Sequence, residues 1–381
     1  MHSLSGFCSI RPKHEIPQER LLDWIAQVHA RAEERGQLDA QARQTFQSQI
    51  RKQLDRLGLG RGKIASRGIH LDDLFQEEWS KMQIYPVEEH PQGHGFAQRS
   101  HFYDREVTAI FERFYPEHRD LPHHLIHVTC TGYVAPSPAQ KIVSLHSGSQ
   151  TTVTHAYHMG CYGSIPAIRM GCGFACLPSP SPLKPVDIVH TELCSLHMHP
   201  LRHSAEQLLV QSLFADGFIK YTVHASPVAS SHLKILALHE EVLPNSSHCM
   251  TWCCEDRGLG MTLSKEVPAR IAQAIPGYVN RLCHKAGLND EKVIKEALFA
   301  LHPGGPRIVQ QIQDQLGLQL YQVKHSVDVL RECGNMSSAT LPHIWQQMLE
   351  DPVAAPQGTP IVSLAFGPGL VISGGLFQKG E

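Results

Sequence analysis

The sequence carries almost no net charge: 34 Lys and Arg stand against 36 Asp and Glu in 381 residues, leaving -2 and a pI near 7.0. It therefore lacks the basic surplus with which proteins hold nucleic acid or an anionic membrane surface. It also lacks any apolar run near the roughly 18 residues that a spanning helix needs. The opening MHSLSGFCSIRPKHE lacks the basic-then-apolar order of a secretory signal. These absences lead to the expectation of a soluble, cytoplasmic protein with no nucleic-acid or membrane partner. No C-x-x-C pair and no H-E-x-x-H motif occurs, so the usual frames of a zinc site are missing.

What is present is an ordinary globular balance, 42% hydrophobic and 18% charged. The length suits two fused lobes better than one minimal core. The 11 cysteines are odd in number and scattered, with Cys253 and Cys254 adjacent, which favours free thiols over a disulfide scaffold. Of 26 histidines the densest group is His190, His197, His199 and His203, with Cys194 between them. Without repeated ligand pairing, the expectation there is hydrogen-bonded interior histidines and no metal.

Periodicity predicts helices over much of residues 17 to 57 and again from 69 to 120, where REVTAIFERFY is the clearest amphipathic stretch. HLIHVTCTGYVAP then reads as β structure closed by Pro136, followed by a helix running into LHSGS. THAYHMGCYGSIPAIRMGCGFA starts small and polar and continues as an apolar helix. VDIVHTELCSL is a strand, EQLLVQSLFADG a helix and FIKYTVHAS a strand. Beyond these, HLKILALHEEVLP reads as a strand pair and SKEVPARIAQAIPGYVNRLCHKAG as a long helix. Strands and helices go on alternating to the two glycine-broken strands of PIVSLAFGPGLVISGGLF. The alternation predicts α/β layers with sheets between helices. The softest boundary lies in SPVASS, residues 226–231, which divides the chain into halves 1–230 and 231–381.

Three polar residues sit on glycine-marked turns. Cys161, in MGCYGS, is flanked by Gly160 and Gly163 and precedes an apolar helix, whose unsatisfied N–H groups favour a thiolate. A buried structural cysteine is the commoner fate of any one thiol. His302 stands where an apolar strand meets the rigid turn HPGGP; a core or capping histidine is the alternative. Asn335, in CGNMSSA, enters another tight turn, where Asn is more often an N-cap. A Cys, His and Asn on separate turns also fit a papain-like set, so the residue types alone do not choose a reaction.

The wording of the motifs does choose. HMGCYGSIPAIRMG, LFADG, LHPGGPRIV, GNMSSAT and FGPGL resemble, in order and spacing, the motifs of the chalcone synthase (type III polyketide synthase) superfamily. The resemblance runs from about residue 120 to the end and more weakly through the N-terminal helices. It implies the α/β thiolase fold, five layers αβαβα in two pseudo-twofold halves. The nucleophile Cys161 lies in the first half, His302 and Asn335 in the second. It further implies a homodimer, no cofactor and no metal, with acyl-thioester substrates carried on coenzyme A or an acyl carrier protein. By the same likeness Cys161 takes the acyl chain, His302 holds the sulfur as thiolate, and His302 and Asn335 donate to the developing oxyanion.

Phe214 matches the family's gatekeeper phenylalanine, and Gly367, Pro368 and Gly369 the loop that shapes the cyclisation pocket. Glu192 and Ser337 join the expected substrate-binding set. Three departures stand out. Met261 occupies the second gatekeeper position, Cys194 a threonine position after Glu192, and Ala135, before Pro136, a methionine position lining the neighbouring subunit's cavity. Each exchanges bulk for room. The basic residues that grip coenzyme A phosphates are matched only loosely, by Arg56, Arg61, Lys63 and Arg67. The expected activity is a Claisen condensation that joins two β-ketoacyl chains into an α-pyrone, as in bacterial antibiotic pathways. Iterative extension by malonyl units to a pyrone or resorcinol is the alternative, and an inactive scaffold or hydrolase on the same fold the reading from another class.

Overall fold

A computed structural model describes residues 2–33, 39–116, 120–177, 185–225, 228 and 231–380. The chain begins with β1 (Ser3–Ile10), β2 (His14–Pro17), α1 (Gln18–Glu33), α2 (Ala40–Arg56), β3 (Ser66–Ile69) and α3 (Phe96–Phe114). Next come β4 (His124–Thr129), α4 (Pro138–Leu145), β5 (Thr152–Tyr157), α5 (Ser164–Ala175), β6 (Val186–Glu192), α6 (Ala205–Leu213) and β7 (Gly217–His224). Then follow β8 (Leu233–Val242), β9 (Met250–Glu255), β10 (Gly258–Leu263), α7 (Val267–Lys285), α8 (Asp290–Glu296) and β11 (Leu298–Leu301). The chain ends with α9 (Pro306–Leu316), α10 (Leu320–Cys333), α11 (Thr340–Glu350), β12 (Pro360–Gly367) and β13 (Val371–Lys379).

Nine strands form one ladder in the order β11-β12-β13-β8-β1-β7-β6-β4-β5. Within it the same pattern occurs twice. β4 pairs parallel with β6, which continues antiparallel to β7 and β1; β11 pairs parallel with β12, which continues antiparallel to β13 and β8. The two sets meet through a short β1–β8 ladder at Ser3 and Leu4. Each parallel pair is linked through a buried helix, α5 in the first set and α11 in the second.

Three large apolar clusters show why the layers number five. One joins α1 and α3 to the first set of strands, and another joins α7 and α9 to the second. Between them a central cluster packs Ile165 and Ile168 of α5 with Leu341, Ile344 and Trp345 of α11. α5 and α11 each bury most of their apolar residues in this cluster, while Arg169 and Gly173 of α5 and Glu350 of α11 stay exposed. Trp345, fully buried, satisfies its indole N–H on Ser363 Oγ at 2.7 Å. The whole is the αβαβα thiolase fold.

Local differences from the sequence reading have physical causes. Residues 70–95 hold no α-helix: β3 is followed by two one-turn 3-10 segments, Asp72–Leu74 and Trp79–Lys81, and by turns around Pro86, Pro91, Gly93 and Gly95, which interrupt helical hydrogen bonding. LKILALHEEV is one ten-residue strand, Leu233–Val242, not a pair. Four strands carry no clear period in the sequence: β1, β5, and β9 with its hairpin partner β10. The boundary segment 226–231 falls largely outside the described residues. No helix among those described is long and apolar enough to cross a membrane.

Candidate active site

The two central helices begin at the same place. A one-turn 3-10 segment, Gly160–Tyr162, leads into α5, and another, Ser337–Ala339, leads into α11; the two segments touch. Gly160 adopts φ +70°, and a Cβ there would stand 3.0 Å from Pro368, so glycine is needed to turn the chain and seat Cys161. Gly334 plays the same part before Asn335, at φ +76° with Arg67 and Ala215 crowding the space of a Cβ. Asn335 is clamped to the end of α6 from both sides: its N–H donates to Leu213 O, and its carbonyl accepts from Ala215 N.

The Asn335 side chain has a fixed direction. Its Oδ1 accepts from Ser337 N at 2.9 Å and from Thr340 Oγ1 at 3.4 Å, while Nδ2 is buried without a hydrogen-bond partner. That free donor stands near enough to Cys161 to favour the thiolate, as does Ser337 Oγ at 3.8 Å from Sγ. Ser337 itself has φ +50°, a left-handed conformation uncommon for serine and held here by the tight entry into α11.

His302 sits at the end of β11, with its N–H bonded to Leu364 O of β12. β12 runs on to Gly367 and Pro368, which press on the Gly160 turn. Both nitrogens of the buried His302 ring lack a partner among the described residues. Buried polar atoms are nearly always bonded, so orphan donors on both His302 and Asn335 mark a place prepared for something else.

The protonation states differ from the expectation. Burial pushes the Cys161 thiol up to about 12, against the weaker help of Ser337 and Asn335. Burial pushes the His302 imidazole down to about 3. Both shifts favour the neutral forms, a thiol on Cys161 and an uncharged imidazole on His302. The helix terminus behind Cys161 is outweighed because the sulfur is removed from water.

Glu192 lies at the end of β6, fully buried. Its carboxylate accepts from Thr131 Oγ1 (2.8 Å), Thr129 Oγ1 (3.3 Å), Cys130 N and Ser338 Oγ. Burial raises its pKa against these bonds. Cys130 went unnoticed in the sequence, where nothing but its place after an apolar strand distinguishes it. Its Sγ stands 3.0 Å from Ser337 Oγ and 3.5 Å from Glu192 Oε2.

A largely apolar cavity opens at Cys161. Of the expected set, Cys194, Phe214, Met261, Ser337 and Pro368 line it, and Trp252, Leu259 and Ile25 extend the apolar wall. Only about 60 Å³ is open to the centres of water molecules, room for a handful of waters. Gly367 and Gly369 shape the loop behind Pro368; a Cβ on Gly367 would collide with Tyr162. Ala135 is exposed and takes no part in this cavity.

Arg67 does not belong with the surface cations. It is 1% exposed, donates to Gln18 Oε1, Gln211 O and Phe214 O, and faces Asp216. It braces the cavity wall and cannot hold a solvent-borne phosphate. Arg56, Arg61 and Lys63 are exposed and form no side-chain ion pair among the described residues. Their turn packs Leu59 and Ile64 on Leu213 and Phe214, beside the cavity. The histidine group is spoken for as well. His197 Nε2 bonds Thr131 O, His199 Nε2 bonds Leu259 O, His190 bonds Ser338 and Tyr221, and His203 bonds His29 and Glu33.

Residues 234–379, which include His302 and Asn335, match the family described as chalcone and stilbene synthases, C-terminal domain. A probable polyketide synthase 1 of Dictyostelium discoideum is 30% identical over 256 residues, 66% of this chain and 8% of that protein. An alpha-pyrone synthesis polyketide synthase-like protein, Pks18 of Mycobacterium tuberculosis, is 26% identical over 67% of this chain and 64% of its own length. The chain thus spans less than two thirds of either relative. The fold is shared with the C-terminal type III polyketide synthase domain of Steely1 from Dictyostelium, at TM-score 0.81 and 23% identity over 99% of both chains. It is shared equally with PKS-I of the brown alga Ectocarpus siliculosus, at TM-score 0.82 and 20% identity over 99% and 98%. Motifs and matches make this chain similar to the chalcone synthase superfamily of type III polyketide synthases, whose C-terminal domain its residues 234–379 match and whose fold it shares.

Proposed function

We propose that this chain is an acyltransferase of the β-ketoacyl synthase kind, loading an acyl group on Cys161 and forming a carbon–carbon bond to it, with an α-pyrone as product. The observation that carries this reading is the pair of buried, unpartnered polar groups on Asn335 and His302, with Asn335 beside a cysteine at a helix start. Such donors cost stability in the empty protein and are repaid where a thioester oxygen or enolate develops charge, typically by about 3 kcal/mol each. A neutral His302 keeps a ring nitrogen able to accept the thiol proton, which a resting imidazolium could not do, although burial lowers its basicity. The α-pyrone is supported by the name of the mycobacterial relative.

Between the two nucleophile sources the geometry favours extension over the expected joining of two preformed chains. Joining needs room for two long chains at Cys161, where only about 60 Å³ is open to the centres of water molecules before any side chain moves. Malonyl extension needs room for one growing chain. Arg56, Arg61 and Lys63, free on the cavity side, support a phosphate-bearing carrier such as coenzyme A. A homodimer is supported by β5, an edge strand with half-exposed side chains and no partner on its outer side. The exposed Ala135 lies in the chain between β4 and that strand.

The test offers the protein an acyl-CoA with labelled malonyl-CoA and, separately, two different β-ketoacyl thioesters without malonyl-CoA. Label in a pyrone product supports extension. A mixed pyrone formed without malonyl-CoA would overturn extension in favour of chain joining. Failure of any acyl group to add mass at Cys161 would overturn the condensing reading altogether.

A further inference from the structure

The mechanism above uses one thiol, but the cavity holds a second within reach of it. Cys130 Sγ stands 3.0 Å from Ser337 Oγ, and Cys161 Sγ stands 3.8 Å from the same oxygen. The two sulfurs are thus no farther apart than those distances combined, and both line the cavity. Cys130 lies in the bend just past β4 and Cys161 in a one-turn segment, so neither is fixed by a strand ladder. Glu192 Oε2 lies 3.5 Å from Cys130 Sγ and is placed to take its proton.

We propose that Cys130 is a resolving thiol for Cys161: when a peroxide oxidises the nucleophile, the two close an intramolecular disulfide that shuts the site reversibly. In the first step the Cys161 sulfur attacks one peroxide oxygen. The O–O bond breaks, sulfur gives up two electrons, and water and a sulfenic acid result. In the second step Cys130 passes its proton to Glu192 and its sulfur attacks the sulfenic sulfur. The S–O bond breaks, and the departing hydroxide recovers the proton as water. Two thiols and one hydrogen peroxide become one disulfide and two waters. Without a neighbouring thiol the sulfenic acid would go on to sulfinic and sulfonic acids, which ordinary thiols do not reduce. Cys194 lines the same cavity but makes no bond to Ser337, so it is the less favoured partner.

The test exposes the full chain to excess hydrogen peroxide at a pH of about 9, where the thiolate is less scarce. Intact mass, peptide mapping and acyl loading before and after dithiothreitol are then read. The wild type should lose two hydrogens in mass, show a Cys130–Cys161 cross-linked peptide, and regain nearly all of its own starting acyl loading on reduction. Cys130→Ala should instead gain two or three oxygens on Cys161 and regain only about a tenth of its own untreated loading. Cys130→Ser, which keeps the polar contacts, should behave as the alanine variant does and guards against a folding defect. Equal recovery in wild type and both variants, or a Cys161–Cys194 cross-link in the wild type, would overturn the proposal.

Discussion

Cys161 and Ser337 stand at matching places in the two halves of the fold, each in a one-turn segment that opens a buried central helix, with Sγ 3.8 Å from Oγ. The pairing explains why one site draws on both halves. Two helices that must start back to back in the core bring their entry turns together. Their glycines, Gly160 and Gly334, make those turns sharp enough for side chains to share one cavity.

The first prediction concerns that sulfur's proton. Since burial holds the Cys161 thiol near 12, the thiolate fraction in the free protein is small and grows about tenfold per pH unit up to that value. Iodoacetamide labelling of Cys161, read by peptide mass, should therefore accelerate steadily from pH 7 through 9 with no plateau. A plateau starting below pH 7 would mean a resting thiolate, and hence an ion pair with His302.

Loading and condensation should separate by residue. Cys161→Ala should abolish the acyl mass shift while leaving the fold intact. Asn335→Ala should still load acyl groups, yet lose condensation by about 10²-fold or more, because the lost donor matters most once charge develops. His302→Ala should slow both steps, since the thiol then has no base. Unchanged condensation in the Asn335 variant would remove its oxyanion role.

How far the sequence alone leads depends on which atoms a feature involves. Cys161, His302 and Asn335 are each announced by glycines next to them in the chain, and α5, α7 and β12 by unbroken periodicity. Cys130 and β1 are not announced, because their importance comes from partners far along the chain: Ser337 and Glu192 for the one, β7 and β8 for the other. Arg67 shows the limit from the other side. It falls in a run of basic residues that reads as one surface patch, and only the fold reveals that β3 turns it inward.

That difference is measurable. Arg67→Ala would leave Gln18, Asp216 and two carbonyls short of a buried partner, at a cost of about 3 kcal/mol or more. Chemical denaturation should show it as a lowered midpoint. Replacing Arg56, Arg61 and Lys63 together by alanine should leave the midpoint almost unmoved and raise KM for a coenzyme A thioester with little change in kcat. The same KM in the triple variant would detach those cations from the carrier.

The buried histidines predict acid lability. His29, His70, His190, His197, His302 and His343 are all pushed down to about 3 or 4 by burial. Unfolding returns each to its ordinary value near 6.5, so below that pH the unfolded chain binds more protons and stability falls as pH falls. One unit below 6.5 each group costs about 1.4 kcal/mol, and the loss continues towards the folded-state values. Asp216, raised to about 6, and Glu192 and Asp73, also raised by burial, work the other way, but they are three groups against six. Thermal unfolding should show a Tm that drops steeply between pH 7 and 5.5. A flat profile there would mean that the histidines are already charged or are hydrated in the native state.

Met261 offers the sharpest test of what sets chain length. It is buried, lies on β10 opposite Trp252 of β9, and lines the cavity wall where the family carries phenylalanine. An unbranched thioether can swing aside as an acyl chain enters, while a phenyl ring is stiff and needs the space permanently. With only about 60 Å³ open at rest, a long chain must displace side chains, and Met261, like Met198 and Met250 on the same wall, is flexible enough to move. Met261→Phe should leave kcat/KM for a short acyl thioester within about threefold and lower it for a long one by about tenfold or more, the 1–3 kcal/mol scale of overpacking a filled core. The measurement is a series of acyl-CoA starters of rising length on both proteins. Parallel losses at every length would place the chain elsewhere in the cavity, along the Ile25 and Leu74 side, and Leu74→Trp would then produce the length-dependent loss instead.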